Sequence, residues 1–385
     1  MQRRTFLTGT MVCLPMAACA APARPAAPPG ATLTWLKSYS RFKSAVLLRL
    51  AGVQGIPVRQ AVDCYRVTYG SHDGGGRPIR LSGLLALPRD GVARGLVSWQ
   101  HGTTTSRQDV PSNLSTEGLA AAIIFAGNGF AAVAPDYLGL GVSPLTHTYY
   151  AADDTARAVI DLLDVARGVP GVPDSPPFLT GFSQGGHASL ATQRALEAAG
   201  RPVLGSAPVA GAFNLRTISL IEAMKGEAVQ ASLYLSYMAR GLAARYGQTL
   251  ESALTDEAAG LTRALYDQPH KPEEIVAALP RDPRKLYNAA FLDAFDHDGS
   301  HWLLDAIAAN EVSHFKPRAP VRFYFGADDK DVSPRESVTT ARMFQAQGGD
   351  ATAIDVGAFD HNGSILKAAP MALAWLETLV QPRSG

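Results

Sequence analysis

The sequence predicts an α/β fold in which a mostly parallel central sheet is flanked by helices. Short apolar runs of strand length alternate with longer helical segments, which is the pattern of βαβ units. The composition, with 46% hydrophobic and 18% charged residues over 385 positions, provides ample material for a core. One long stretch late in the chain is helical without strands, so we expect an insertion into the sheet.

The net charge of +1 and the absence of a basic run argue against a nucleic-acid partner. The chain has three cysteines, and only Cys64 falls clearly within the mature domain. Because Cys64 lies in an alternating, strand-like stretch, we expect it to be an inert core residue rather than a disulfide partner.

Residues 1–30 are predicted to be an export signal and a Pro/Ala linker, and they are excluded from the fold. Arg3 and Arg4 precede an apolar stretch, Met11 to Ala18, that is too short to span a membrane. The paired arginines and the Phe-Leu pair after them resemble a twin-arginine signal, although Gln2 stands where Ser or Thr is usual. We therefore expect a periplasmic or secreted protein.

Two alternatives for processing stay open. Small residues on both sides of Cys19 suit a simple signal peptidase. The segment Met16 to Cys19 also resembles a lipoprotein box, with Met where Leu is usual. The second alternative would attach a lipid to Cys19 and hold the protein at a membrane.

The first part of the mature chain is expected to form most of the sheet. A Gly-rich turn joins the first two predicted strands, which would make an antiparallel hairpin at the sheet edge. Strands are predicted at Val62–Ser71, Pro78–Pro88, Gly95–Gln100, Phe130–Ala134 and Pro202–Val209, and helices at Leu119–Phe125 and Ala151–Arg167.

A helical insertion is expected from Thr217 to Phe315, most simply a cap over the functional face. The sheet then resumes with a strand at Val321–Phe325. A helix at Arg335–Gln347, a strand at Ala351–Val356 and a closing helix at Ile365–Val380 follow. The predicted organisation is a core of residues 31–216 and 316–385 interrupted by a cap of residues 217–315.

The most informative motif is the G-x-S-x-G formed by Gly181, Ser183 and Gly185. An apolar strand precedes it, and a helical pattern follows. A serine at such a strand–turn–helix junction is held in a strained conformation with its hydroxyl accessible, and a Cβ at either glycine would collide with the tight turn. Ser183 is therefore predicted to be a nucleophile.

A serine nucleophile needs a base, and the base needs an orienting carboxylate. His361 lies in a loop between the last strand and the last helix, beyond every candidate acid of the resumed sheet. The acid is expected in the loop after Val321–Phe325. The spacing from the preceding glycine and to the following valine favours Asp329, with Asp331 and Asp328 as alternatives.

Two backbone N–H groups are expected to stabilise the oxyanion. One belongs to Gln184, the residue after the nucleophile, and the other to Thr103, in the loop after Gly95–Gln100. His101 and His187 are expected to be structural. His297 and His301 have a spacing that would suit zinc on a helix, but the residues between them favour a loop. No metal or organic cofactor is predicted.

The segments GFSQGGH, PDYLGLGVS, GADDKDVSP and DHNG resemble the α/β-hydrolase superfamily. More narrowly, with the helical insertion, they resemble secreted lipases and esterases of the lipase-A type. The resemblance implies a catalytic triad of Ser183, Asp329 and His361 beneath a helical cap, acting on a small-molecule or lipid ester. The alternatives are a serine peptidase or amidase on the same scaffold and a non-catalytic binding protein.

Within the cap, the segment from Leu233 to Tyr246 is apolar on more than one helical face. Such a helix is either buried in the cap or lines a binding cavity. The two alternatives predict different effects for a change such as Tyr237→Ala, namely a loss of stability or a shift in acyl preference.

Overall fold

The computed structural model describes residues 24–266 and 270–380. Residues 1–23, which contain most of the predicted export signal together with Cys19, lie outside the described residues. Within the described ranges, no helix is both long enough and apolar enough to cross a membrane.

The described part of the chain forms one nine-stranded sheet with the order β1-β2-β3-β5-β4-β6-β7-β8-β9. Pairing is antiparallel from β1 to β3 and between β3 and β5, and it is parallel from β5 through β4 to β9. The strands are β1 (Thr32–Tyr39), β2 (Val62–His72), β3 (Pro78–Pro88), β4 (Leu96–Gln100), β5 (Ala131–Pro135), β6 (Phe178–Phe182), β7 (Gly205–Val209), β8 (Val321–Phe325) and β9 (Ala351–Asp355). The predicted α/β fold with a mostly parallel sheet is confirmed.

The predicted hairpin of β2 and β3 is present, but its expected place at the sheet edge is wrong. β1 pairs with β2 from Thr32 opposite Thr68 to Tyr39 opposite Val62, and so β1 is the outermost strand. The sequence does not signal β1 clearly because most of its side chains are exposed or half-buried, which blurs the alternation of apolar and polar residues.

Helices cover both faces of the sheet. α1, α2 and α12 contribute to the apolar cluster on one face, whereas α3, α4 and α11 contribute to the clusters on the other. This gives three layers with the sheet in the middle. These helices are α1 (Arg41–Leu50), α2 (Thr116–Ala126), α3 (Ala152–Arg167), α4 (Gln184–Ala198), α11 (Arg335–Ala346) and α12 (His361–Leu379).

Between β7 and β8 the regular elements of the described residues are all helical. A separate apolar cluster holds them together, to which Tyr149 and Tyr150 of the core also contribute. That the predicted cap is a folding unit of its own stays a prediction. The helices are α5 (Leu220–Ala223), α6 (Ala231–Tyr246), α7 (Asp256–Leu265), α8 (Pro272–Ala278), α9 (Ala289–Asp296) and α10 (Trp302–Ala309).

Buried carboxylates fix the two ends of this helical block to the core. The Glu336 side chain accepts hydrogen bonds from the backbone N–H groups of Phe213 and Asn214 at 3.0 and 2.8 Å. Near the return to the sheet, Glu311 Oε1 accepts from the Arg216 N–H at 2.9 Å, which ties the exit to the entry, and the Glu311 backbone oxygen accepts from Arg194 of α4 at 3.0 Å. Because the entry and the exit are both anchored, the block is held in a defined position over the sheet.

Candidate active site

Ser183 occupies the sharp turn between β6 and α4. Its backbone angles are φ 56° and ψ −118°, a conformation that costs a non-glycine residue on the order of 1–3 kcal/mol. The neighbouring backbone leaves no room for side chains, because a Cβ at Gly181 would lie 2.5 Å from Gln100 O and one at Gly185 only 1.9 Å from it. The motif therefore forms the strained turn that its glycines predict.

His361 and Asp329 are in direct contact at the carboxyl edge of the sheet. His361 Nδ1 lies 2.7 Å from Asp329 Oδ2, and both side chains are buried. The other oxygen, Oδ1, accepts hydrogen bonds from the N–H groups of Asp331 and Val332 at 3.0 and 2.9 Å. These bonds fix the carboxylate, and the carboxylate in turn fixes the orientation of the imidazole ring.

The two alternative acids occupy different environments. Asp328 is exposed, whereas Asp331 is partly buried and lines the cavity that Ser183 also lines. The Asp331 carboxylate makes no hydrogen bond within the described residues, and burial raises its pKa while the nearby His361 lowers it. Of the three candidates, Asp329 is the residue whose side chain the structure places in hydrogen-bonding contact with His361.

The ring of Phe182, the residue before Ser183, lies 4.6 Å from the His361 ring. This contact brings the histidine loop to the serine turn. Within the described residues, no hydrogen bond joins Ser183 Oγ to His361, so Ser183 is adjacent to the acid–base pair rather than bonded to it. Such bonds are often long in ligand-free enzymes and shorten when substrate binds.

The two predicted oxyanion donors lie at the expected turns. Gln184 is the first residue of α4, and Thr103 follows the end of β4. Neither backbone N–H donates to an acceptor in the described part of the chain, which leaves both available to a ligand. The Thr103 hydroxyl lies 2.6 Å from the Tyr149 hydroxyl, a contact that fixes the side chain of Thr103.

Sequence reasoning missed Glu117, whose side chain holds the loop of Thr103 through a contact with Gly102. Both of its carboxyl oxygens lie 3.0 Å from the Gly102 nitrogen. The residue as a whole is only partly buried, but its carboxyl is enclosed. Desolvation raises the pKa of this carboxyl to about 8, although the hydrogen bond from Gly102 lowers it. An acidic residue in the first turn of a helix is so common that the sequence gives no signal of this contact.

His147 is a second residue that the sequence did not single out. Its Nδ1 lies 2.7 Å from Leu138 O. Its Nε2 lies 3.0 Å from Nε2 of the Gln184 side chain. Burial lowers its pKa to about 4, so the ring is neutral at neutral pH. A neutral ring that donates to Leu138 can accept from the Gln184 side chain, which holds the start of α4 in place.

Ser183 lies at the wall of a cavity of about 60 Å³ between the core and the helical block. Apart from Ser183 and Asp331, most of its lining is apolar or aromatic. These apolar and aromatic residues include Tyr149, Tyr150, Leu220, Tyr234, Leu235 and Met238.

The residues of the α6 segment differ in their surroundings, and whether the cavity binds substrate stays a prediction. Tyr234, Leu235 and Met238 line the cavity. Tyr237 is fully buried away from it, stacked 4.5 Å from Tyr266 and 4.6 Å from Tyr149. For Tyr237 itself, the cap-core interpretation is therefore the right one.

A model of the secretory lipase family matches residues 114–382, which is more than half of the chain. The chain belongs to the secretory lipase family. Membership makes this protein a hydrolase of the lipase or esterase kind and indicates that it is exported. The comparison with curated proteins found no match.

Solved structures give the same fold. A candidate hydrolase from Legionella pneumophila superposes with a TM-score of 0.84 at 23% identity, covering 94% of this chain and 100% of its own. The ligand-bound rice cell wall degrading esterase LipA from Xanthomonas oryzae gives 0.79 at 23%, covering 91% and 97%. The closed state of Candida antarctica lipase A gives 0.68 at 13%, covering 91% and 83%. At these identities the likeness establishes the α/β-hydrolase fold.

His101 and His187 of this secretory lipase make structural contacts, as predicted. His101 Nδ1 lies 2.7 Å from Gly102 O, and His187 Nε2 lies 2.8 Å from Asn310 O. His301 precedes α10 and accepts from the Leu303 N–H, whereas His297 follows α9, so the pair does not share one helix. Within the described residues, no group of three His, Cys, Asp or Glu side chains could hold a metal ion.

Proposed function

We propose that this secretory lipase is a serine carboxylic-ester hydrolase that works through an acyl-enzyme on Ser183. The observation that carries the proposal is the buried His361–Asp329 pair beside the strained serine turn. A serine hydroxyl becomes a good nucleophile only when a base takes its proton, and this pair supplies an oriented base.

The reaction follows from this arrangement. Ser183 Oγ attacks the ester carbonyl while His361 Nε2 accepts its proton, and His361 then returns the proton to the departing alcohol. Asp329 holds the ring so that Nδ1 carries the other proton and Nε2 faces the serine. Water attacks the acyl-enzyme by the same route, with His361 as base, which releases the acid and restores Ser183.

The negative charge on the tetrahedral oxygen is stabilised by the N–H groups of Gln184 and Thr103. Both are unpaired in the described ranges, and their loops are held by neighbouring contacts, Glu117 on Gly102 and His147 on Gln184. Donors positioned before the reaction need no reorganisation, and one such donor contributes about 10²–10³ in kcat.

The size of the cavity supports a short acyl group. Its volume of about 60 Å³ is smaller than the roughly 150 Å³ cavity that accommodates benzene in an apolar core. A long acyl chain would need the cap to move. We expect kcat/KM to fall along a series of p-nitrophenyl esters of increasing acyl length. A preference for long chains would contradict this assignment and leave the serine mechanism intact.

The decisive test is Ser183→Ala. The variant should keep the wild-type melting temperature and lose on the order of 10⁴–10⁶ in kcat. A fluorophosphonate should label the wild type at Ser183 only. If the variant retains a tenth of the rate, Ser183 is not the nucleophile.

The two alternative functions are tested separately. Comparing rates on an ester and an amide with the same acyl group distinguishes an esterase from an amidase. A wild type that the fluorophosphonate does not label at Ser183 would favour a binding protein.

The proposed export is by the twin-arginine route, on the evidence of Arg3 and Arg4. Replacing both with Lys should leave precursor in the cytoplasm, and unchanged export would indicate the general secretory route. Whether Cys19 is lipidated is tested by Cys19→Ser, which should release a membrane-bound form only if an acyl chain is attached there.

A further inference from the structure

The exposed side of α1 carries a stripe of large apolar side chains. Phe42 is 81% exposed, Val46 41% and Leu50 79%. These three residues, called here the α1 stripe, are spaced by four positions and so share one side of the helix. The helix already packs on the core through other residues, with Leu48 buried and Leu47 partly buried. The stripe is therefore surplus to folding.

The charge around the stripe is of one sign. All 34 acidic residues of the chain lie from Asp63 onward, so α1 and β1 have none. None of the basic residues on these two elements forms an ion pair with a described residue, and all are exposed. They are Lys37, Arg41, Lys43 and Arg49.

The basic side chains and a further aromatic residue lie next to the stripe. The ammonium groups of Lys37 and Lys43 lie 5.7 and 5.6 Å from the Tyr39 ring, which places them together at the junction of β1 and α1. On β1, Trp35 is 39% exposed, and the Arg24 guanidinium lies 4.5 Å from its ring. Exposed apolar and cationic groups thus share β1 and α1.

This surface lies on the flank that leads to the candidate active site. A Cβ at Gly52, just after α1, would lie 3.2 Å from Leu366 Cδ1. Leu366 is on α12, five residues after His361 and so about 7.5 Å along the helix axis. The end of α1 that bears Leu50 is therefore close to the end of the sheet that carries the reacting groups.

We propose that the α1 surface docks this protein onto a lipid surface with anionic headgroups. Large apolar side chains flanked by Lys and Arg, without acidic residues, are the composition of helices that lie in a membrane interface. The apolar stripe enters the boundary between headgroups and acyl chains, and the cations contact lipid phosphates. A second copy of the chain fits less well, because pairing α1 with α1 would bring like charges together.

Vesicle binding of the exported full-length chain carrying Cys19→Ser tests the proposal, since no acyl chain can then be attached at position 19. Co-sedimentation is compared for vesicles of phosphatidylcholine alone and with phosphatidylglycerol, at low and high salt. We expect binding to the anionic vesicles that weakens with salt. Phe42→Ser with Leu50→Ser should weaken it more than about tenfold. Lys43→Gln with Arg49→Gln, the two cations that flank the stripe on α1, should weaken it about fivefold per charge.

A control is Val92→Ser with Val229→Ser, which removes two exposed apolar side chains elsewhere, at 62% and 61% exposure. It should bind as the parent does. Equal binding to both vesicle types, or undiminished binding of the stripe variant, overturns the proposal. The proposal is also overturned if the stripe variant and its parent differ in molecular mass in solution without vesicles, since this would make the stripe an interface between copies.

Hydrolysis of a soluble ester is measured in parallel, so a failure of the proposed ester hydrolysis is seen separately.

Discussion

The loops that follow the strands and the helical block between β7 and β8 contribute to the candidate site in different ways. In the core, each group assigned to the chemistry follows a strand and is held by specific polar contacts, as Asp329 is by His361 and two backbone N–H groups. In the helical block between β7 and β8, the contribution is mainly shape, made by packed rings such as Tyr237 and Tyr266, and Tyr237 also stacks on Tyr149 of the core. Changes in the core should therefore alter the rate, and changes in the cap should alter stability or substrate choice.

After Ser183→Ala, the largest effect is expected at the acid. Asp329→Asn removes the carboxylate that orients His361, so kcat should fall by on the order of 10³–10⁴. Asp331→Asn is the matched control two residues away, and it should cost less than tenfold because Asp331 does not contact His361 through a hydrogen bond. Steady-state kinetics on one ester compares the two. If Asp331→Asn costs more, Asp331 is the acid and the assignment of Asp329 is wrong.

The next effect is on stability. Tyr237→Ala removes a fully buried ring from the stack within the cap, so the free energy of unfolding should fall by about 3–5 kcal/mol. The ratio of rates on a short and a long ester should stay the same, because Tyr237 does not line the cavity. Urea unfolding and the two rates test this. A shifted ratio with normal stability would place Tyr237 at the substrate.

A smaller effect is expected one residue further along the same helix. Met238 lines the cavity, so Met238→Ala should enlarge it and favour longer acyl groups by about 1–3 kcal/mol in kcat/KM. The acyl-length profile is the measurement, with Tyr237→Ala as the comparison. An unchanged profile would mean that the acyl group binds elsewhere, and the cap would then lose its role in substrate choice.

The same contrast explains how much the sequence could predict. The Ser183 turn depends on residues within a few positions of it, so its glycines and flanking apolar runs are sufficient. Asp329 and His361 follow from their loops and the chain order. The contact of Glu117 with Gly102 joins residues 15 apart through the fold, and no local pattern encodes it. Likewise, adjacent residues of α6 diverge in role because only packing decides which side faces the cavity.

The first elements of the fold were missed for a related reason. β1 is an edge strand with many exposed side chains, and α1 has apolar residues on its outer face as well as its inner one. Neither therefore shows the periodicity that a half-buried element would have. The departure from a simple pattern at Phe42, Val46 and Leu50 is the same feature that led to the proposed lipid surface, so a failed pattern can itself indicate function.

The smallest effect, counted per pH unit, is expected from Glu117, which tests whether the core loop is held by a titrating group. Its pKa in the folded protein is about 8, raised by burial and by Asp109, whereas a glutamate in the unfolded chain titrates near 4.5. Below pH 4.5 both states hold the proton. As the pH rises towards 8, only the unfolded chain has lost the proton, so folding must take one up. The free energy of unfolding therefore falls, by at most about 1.4 kcal/mol per pH unit.

Glu117→Gln keeps an oxygen acceptor for Gly102 and lacks this titration, so its stability should fall less between pH 5 and 8. Glu257, exposed at the same second position of α7, provides the control, and Glu257→Gln should follow the wild type. Urea unfolding at several pH values compares the three proteins, and parallel curves for Glu117→Gln and the wild type would mean that the Gly102 contact is made without a buried, titrating carboxyl.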